Sequence, residues 1–214
     1  MFIPVLLLPG PSDIAVTFPY IKIGFFAAMA VLAVYILCRD LLKQKKENRY
    51  YSRSEAKTTI EPLNRVNKNQ LNIARGNIPV SYVAEVADTV AIAEYSATYG
   101  LPCLCYAIKY NEKYVGIILL EKAMPELARR AGVTDNACFR VYGFVIDGRY
   151  HSIGIGSTAL QQALEQLYAQ YGVVTVIAEC HKDNTRAISF FEKNGFENTG
   201  LMDELETNIF MVLR

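Results

Sequence analysis

The chain has 214 residues, 52% of them hydrophobic and 20% charged, with a formal net charge of +1. That supplies enough apolar material for one ordinary domain plus an appendage, and the near-neutral balance gives no ground for a nucleic-acid partner. The charge is uneven: residues 1–57 carry eight Lys or Arg against four acids, whereas the remaining 157 residues carry 14 against 17.

Near the N-terminus, Ile23–Cys38 contains no charge and no helix breaker except Gly24. Extended back to about residue 19, the run nears the roughly 20 residues that a membrane-spanning helix needs. Arg39, Lys43, Lys45, Lys46 and Arg49 follow at once. By the positive-inside tendency these charges, and everything after them, are expected on the cytoplasmic side. Residues 1–57 are thus expected to form a hydrophobic segment, with a single membrane anchor over about 19–38, and a basic linker. An uncleaved signal-like segment and a misassigned start are the alternatives. A separate domain is expected over 58–214.

From Thr58 onward strand and helix patterns alternate. Thr58–Leu63 reads as a first strand. Pro79–Tyr99 reads as helical, stopped by Gly100. Leu104–Tyr110 and Tyr114–Leu120 are β runs on either side of Asn111-Glu112-Lys113, a hairpin signal. Cys138–Ile146 is a further strand, and Gly156–Tyr171 repeats apolar residues at helical spacing before Gly172. Val173–Ala178 is a continuous apolar strand. Asn184–Asn194 is a short helix with Asn184 as N-cap and Gly195 at its end. Thr207–Leu213 closes the chain as a strand. This order predicts an α+β fold, a mixed central β-sheet flanked by helices. The five cysteines are odd in number, and their spacing matches neither a zinc site nor a redox pair, so no metal is expected.

The segment most telling of chemistry runs from Phe144 to Ser157, where a strand enters a tight turn with Gly154 and Gly156 and leaves as a helix. Glycines let backbone N–H groups approach a ligand closely, and a helix N-terminus adds free donors and a positive partial charge. The combination suits a pyrophosphate. No Gly-Lys-Ser/Thr follows, which excludes a Walker loop, and no third glycine completes a dinucleotide fingerprint.

The stretch His151-Ser152-Ile153-Gly154-Ile155-Gly156 resembles the Gln/Arg-x-x-Gly-x-Gly/Ala signature of GNAT acetyltransferases. Asn184-Thr185-Arg186-Ala187 through Phe191 to Gly195-Phe196 is similar to that family's second hallmark, Asn-x-x-Ala-x-x-x-Tyr-x-x-x-Gly-Phe. Ile146-Asp147 with Tyr150, and Ser81–Tyr95 with Cys105–Ile108, look like the spermine/spermidine branch. The resemblance covers roughly Thr58–Leu213. It implies acetyl-CoA as co-substrate and a small-molecule primary amine, a polyamine such as spermidine, as acceptor; peptide and antibiotic amines, and a non-catalytic acetyl-CoA-binding module, are the rival readings. A homodimer is compatible with it.

Residue by residue, the resemblance implies that Phe144, Val145 and Ile146 offer backbone groups to the pantetheine arm. His151, Ser152, Ile153, Gly154, Ile155, Gly156 and Ser157 would cradle the pyrophosphate, and Asn184 and Phe191 would touch the cofactor. His151 stands where the family usually has Arg or Gln. Phe191 stands where many members have the tyrosine that protonates the leaving thiolate, so Tyr142 and Tyr150 become the candidates for proton transfer. Glu85 and Glu94, with Asp88 beside them, and Glu121 are the expected acidic contacts to a cationic acceptor. Glu121 also counts as a candidate base. His181 follows a strand and reads as a surface histidine.

Overall fold

In a computed structural model of the chain, residues 57–134 and 137–214 are described. The expected membrane segment and its basic linker lie outside them. No helix among the described residues is long and apolar enough to cross a membrane.

The hairpin signal around Asn111 produces the longest strand pair. β2 (Cys103–Tyr110) turns through Asn111 and Glu112, with Asn111 left-handed (φ 55°), into β3 (Lys113–Lys122). On one side β1 (Thr58–Pro62) adds antiparallel to β2, and on the other β4 (Cys138–Ile146) adds antiparallel to β3. β5 (Thr175–His181) lies parallel to β4; β7 (Asn208–Leu213) and β6 (Glu197–Met202) complete a seven-stranded sheet in the order β1-β2-β3-β4-β5-β7-β6. The expected mixed sheet with flanking helices is therefore present.

The helices among the described residues are α1 (Arg65–Lys68), α2 (Val86–Tyr99), α3 (Pro125–Arg130), α4 (Ile155–Tyr171) and α5 (Thr185–Lys193). α4 buries Ala159, Leu160, Ala163, Leu164 and Leu167 against one face of the sheet, together with Phe191 and Phe196 around α5. On the other face, Ala128 and Ala131 at α3 pack with Ile177, Phe210 and Val212. α2 crosses β2, β3 and β4 on that same side.

Several expected boundaries move. The helix expected from Pro79 begins at Val86: a 3-10 turn occupies Val80–Tyr82, and Val83 is fully extended (φ −157°). The Tyr82 ring is stacked on His181, centroids 4.8 Å apart, which holds this segment to β5 instead of continuing a helix. β5 starts at Thr175 because Val173 is 87% exposed, and it continues to His181, which is a strand residue. β6 escapes sequence reading because it is a largely exposed edge strand broken by Gly200 at φ +70°, so no alternation marks it.

Candidate functional site

β4 and β5 pair only from Cys138↔Thr175 to Val141↔Ala178, although β4 continues to Ile146 and β5 to His181. From Tyr142 onward the β5-facing backbone of β4 has no strand beside it. A bulge contributes to the split. The β3–β4 register shifts by one residue between Ile117 and Leu119, and Gly143, opposite that gap, has φ +64°. The mouth that opens leads to the glycine turn.

There, a short 3-10 turn (Gly148–Tyr150) is followed by Ser152 at φ +62° and Gly154 at φ +92°. A β-carbon on Gly154 would meet nothing within 4 Å, whereas one on Gly156 would lie 3.2 Å from the Phe190 ring. Gly154 thus faces open space, and Gly156 lets α4 lie close to α5. α4 has no side-chain cap, and its first backbone bond joins Thr158 N–H to Gly154 O at 3.1 Å. The N–H groups of Ile155, Gly156 and Ser157 have no acceptor among the described residues. Arg186 brings a guanidinium to this turn, with Nη2 3.4 Å from Ser152 Oγ. Unpaired donors, a positive helix end and a guanidinium around open space fit an anionic pyrophosphate, and the free edge of β4 fits an extended amide-bearing arm.

The other residues named from the sequence fall into place around this frame. Phe144 packs edge-on against Phe190 at 5.6 Å, and Val145 is buried. His151 Nε2–H donates to the Ile146 carbonyl at 2.7 Å, so in the neutral ring Nδ1 is left as an acceptor. Asn184 caps α5 by accepting from Ala187 N–H at 3.1 Å, and its amide Nδ2 is uncommitted among the described residues. Phe191 lies inside the core, 7% exposed, edge-on to Phe190 and Phe196. Tyr150 meets Tyr110 edge-on at 5.9 Å.

The acidic candidates are not brought together. Glu85, the N-cap of α2, pairs with Arg75, and Glu94, in the second half of that helix, pairs with Lys68. Glu94 lines a cavity of about 520 Å³ with Leu63, Lys68, Ala97, Leu101 and Gln170, and none of the glycine-turn residues lines it. Glu121 joins a different group. Its Oε1 accepts from Arg140 Nε at 2.6 Å and Nη2 at 2.5 Å. Arg140 Nη1 reaches Glu179 at 3.4 Å, and its guanidinium carbon lies 4.9 Å from the Tyr142 ring centre. Sequence reading missed Arg140, Glu179 and Arg186. A charge inside a strand pattern is the available signal for the first two, but nothing local says which strands will be neighbours.

Burial pushes the Glu179 carboxyl above its ordinary range, partly offset by Arg140 and reinforced by Asp203 and Glu121. Burial also pushes the Cys103 thiol up to about 11 and the Cys180 thiol to about 12, so both are protonated, poor nucleophiles at neutral pH. Asp147, 1% exposed, is held well below the usual carboxylate range by the Arg149 guanidinium, with further N–H donors from Arg149 and Ala74. It ties residue 74 to the end of β4 instead of facing the mouth.

Comparison with known proteins places this geometry. The model of the acetyltransferase (GNAT) family matches residues 78–196. No curated protein matches the chain. Among solved structures, an uncharacterized protein from Bacillus halodurans is 12% identical, covering 76% of this chain and 86% of its own, with a TM-score of 0.60. A PaiA N-acetyltransferase from Thermoplasma acidophilum in complex with coenzyme A is 18% identical over 74% of this chain and 99% of its own, with a TM-score of 0.52. A spermidine N-acetyltransferase from Vibrio cholerae in complex with CoA and spermine is 12% identical over 73% of this chain and 94% of its own, with a TM-score of 0.54. At these identities the structures speak for the fold alone. The family match spans more than half of the chain and contains both the glycine turn and the Asn184–Phe196 segment, so the chain belongs to the GNAT acetyltransferase family.

Proposed function

We propose that the domain transfers the acetyl group of acetyl-CoA to a primary amine, with an aliphatic polyamine such as spermidine as the acceptor class. The observation that carries this reading is the split between β4 and β5 ending at an uncapped helix start, with Arg186 beside it. The co-substrate supplies an acyl carbon already activated as a thioester. The chain's own residues then have three tasks. The N–H groups of Ile155, Gly156 and Ser157 and the Arg186 guanidinium hold the pyrophosphate. The backbone from Tyr142 to Ile146 orients the pantetheine arm and polarises the acyl carbonyl. The walls of the mouth hold the amine against the acyl carbon, which removes the entropy cost of bringing the two together. No protein nucleophile is needed, in keeping with the raised, unreactive thiols of Cys103 and Cys180.

The net negative charge of the domain and the two carboxylates at Arg140 support a cationic acceptor. Tyr142, at the mouth, is the side chain best placed to assist proton transfer to the leaving sulfur, since Phe191 has no hydroxyl. The test is release of free thiol from acetyl-CoA by the full chain with spermidine, spermine, lysine peptides and aminoglycosides. Turnover with the polyamines first among them is expected; binding of acetyl-CoA without turnover of any amine would identify a non-catalytic module. The charge pattern of residues 19–49 supports membrane tethering, which retention of the full chain in membranes after alkaline carbonate washing would test.

A further inference from the structure

The last paired residues of the parallel strands, Val141 and Ala178, turn their side chains into the core beneath α4. The next residue of each strand therefore takes the opposite face, by the period of two. Those residues are Tyr142 and Glu179, and they flank the point where β4 and β5 part. Three adjacent strands bring polar side chains to this face: Glu121 from β3, Arg140 and Tyr142 from β4, Glu179 from β5. A hydrophobic sheet face does not carry such a group for stability, because buried ion pairs gain little over apolar packing.

The two carboxylates are not equivalent. Arg140 commits Nε and Nη2 to Glu121, and only Nη1 reaches toward Glu179, at 3.4 Å. Arg140 is the only hydrogen-bond or ion-pair partner of the Glu179 side chain among the described residues, and a quarter of that side chain is open to solvent (25%, against 16% for Glu121). Glu121, the base expected from the sequence, is thus bound up, while Glu179 is ionisable, accessible and weakly held.

We propose that Glu179 accepts the proton from the attacking amine, with Arg140 and Glu121 as positioning residues that hold its carboxylate at the mouth of the split. This rests on the acyl-transfer reading above. As the amine nitrogen bonds to the acyl carbon, one N–H proton passes to a Glu179 carboxylate oxygen. The carbon–sulfur bond then breaks, the sulfur takes up one proton, and Glu179 returns its own to solvent. The balance is one amine and one thioester consumed, one amide and one thiol formed. A carboxyl raised above its ordinary value by burial accepts a proton more readily than an ordinary one. The charged or titratable groups around it are Arg140, Glu121, Tyr142, Asp203 from the β6–β7 connection, and His181, two residues on along β5 and stacked on Tyr82.

The experiment compares the full-length wild type with Glu179→Gln and Glu179→Asp. It reads kcat against pH with spermidine, acetyl-CoA affinity by calorimetry, and glutamate carboxyl titration by carbon-13 NMR without cofactor. Expected are a kcat of Glu179→Gln lower by roughly 10²–10⁴-fold with its acidic limb gone, partial recovery in Glu179→Asp, and acetyl-CoA affinity within about twofold of wild type. The carboxyl signal missing from Glu179→Gln should titrate in wild type above the ordinary glutamate value of about 4.3. An active wild type whose kcat–pH profile is unchanged in Glu179→Gln would overturn the role of Glu179 and leave the acyl-transfer reading standing. Parallel loss of acetyl-CoA affinity would show a merely structural residue and overturn it too. A wild type that turns over no amine would overturn both.

Discussion

Thr89 lies so close to Gly143 that a β-carbon on the glycine would sit 2.1 Å from the Thr89 hydroxyl and 2.5 Å from its methyl. Thr89 is fully buried, and its hydroxyl donates back to the Glu85 carbonyl at 3.1 Å. α2 therefore rests on the bulge of β4 at a separation that glycine alone permits, and the bulge is where the strands begin to part. Gly143→Ala combines this clash with a left-handed backbone, and is expected to cost about 3 kcal/mol. Urea unfolding measures it. Adding Thr89→Ala should recover part of the loss, since the remaining β-carbon of residue 89 would still be 2.8 Å away. Additive single effects would show that the contact is not what makes Gly143 necessary.

The turn into α4 separates backbone strain from charge. Gly154→Asp places a carboxylate where three N–H groups and Arg186 meet, and acetyl-CoA affinity should fall more than about tenfold, at 1.4 kcal/mol per decade. Gly154→Asn, which tolerates the same backbone without the charge, should fall less. Arg186→Gln should weaken binding about fivefold, with a shallower dependence on salt than wild type. Calorimetry on the three variants decides, and equal affinities for Gly154→Asp and Gly154→Asn would remove the electrostatic account.

Asp147 makes a prediction about stability and pH. Its carboxyl sits below its ordinary value because Arg149 and backbone N–H groups favour the ionised form. The stabilisation is therefore complete above the unfolded value of about 3.9 and is lost as pH falls toward the folded one. At pH 7, Asp147→Asn is expected to cost about 2 kcal/mol, the range for charge-assisted hydrogen bonds. Its difference from wild type should shrink steadily below about pH 4. Thermal unfolding from pH 3 to 7 checks this; a difference that stays constant with pH would mean that the carboxyl is not perturbed in the folded state.

Phe191 is packed between two other rings, so a tyrosine there would bring its hydroxyl through the core to reach the leaving sulfur. Phe191→Tyr is expected to keep or raise kcat while losing about 1–2 kcal/mol of stability for a poorly satisfied hydroxyl. Tyr142→Phe should lower kcat at least about tenfold, within the range of general-acid help. Tyr99→Phe, at a 65% exposed position, serves as the control and should change nothing. Steady-state kinetics on all three is the measurement. An inactive wild type beside an active Phe191→Tyr would speak for a non-catalytic module.

Features that depend on near neighbours along the chain can be read from the residues alone. Gly154 and Gly156 before a helical pattern marked the uncapped helix start, because both glycine's freedom and the free N–H groups are local properties. Asn184 was legible as a cap for the same reason, and the alternation through Asn111 as a hairpin. The other features come from contacts between distant segments. The break after Pro79 follows from Tyr82 stacking on His181, almost a hundred residues away. The cluster of Glu121, Arg140 and Glu179 exists because Arg140 falls opposite Glu121 on one side and Ile177 on the other. Register between distant strands is set by the packing of the whole sheet. No short window of sequence contains it, and so the carboxylate at the mouth of the split could be recognised only once the strands were in place.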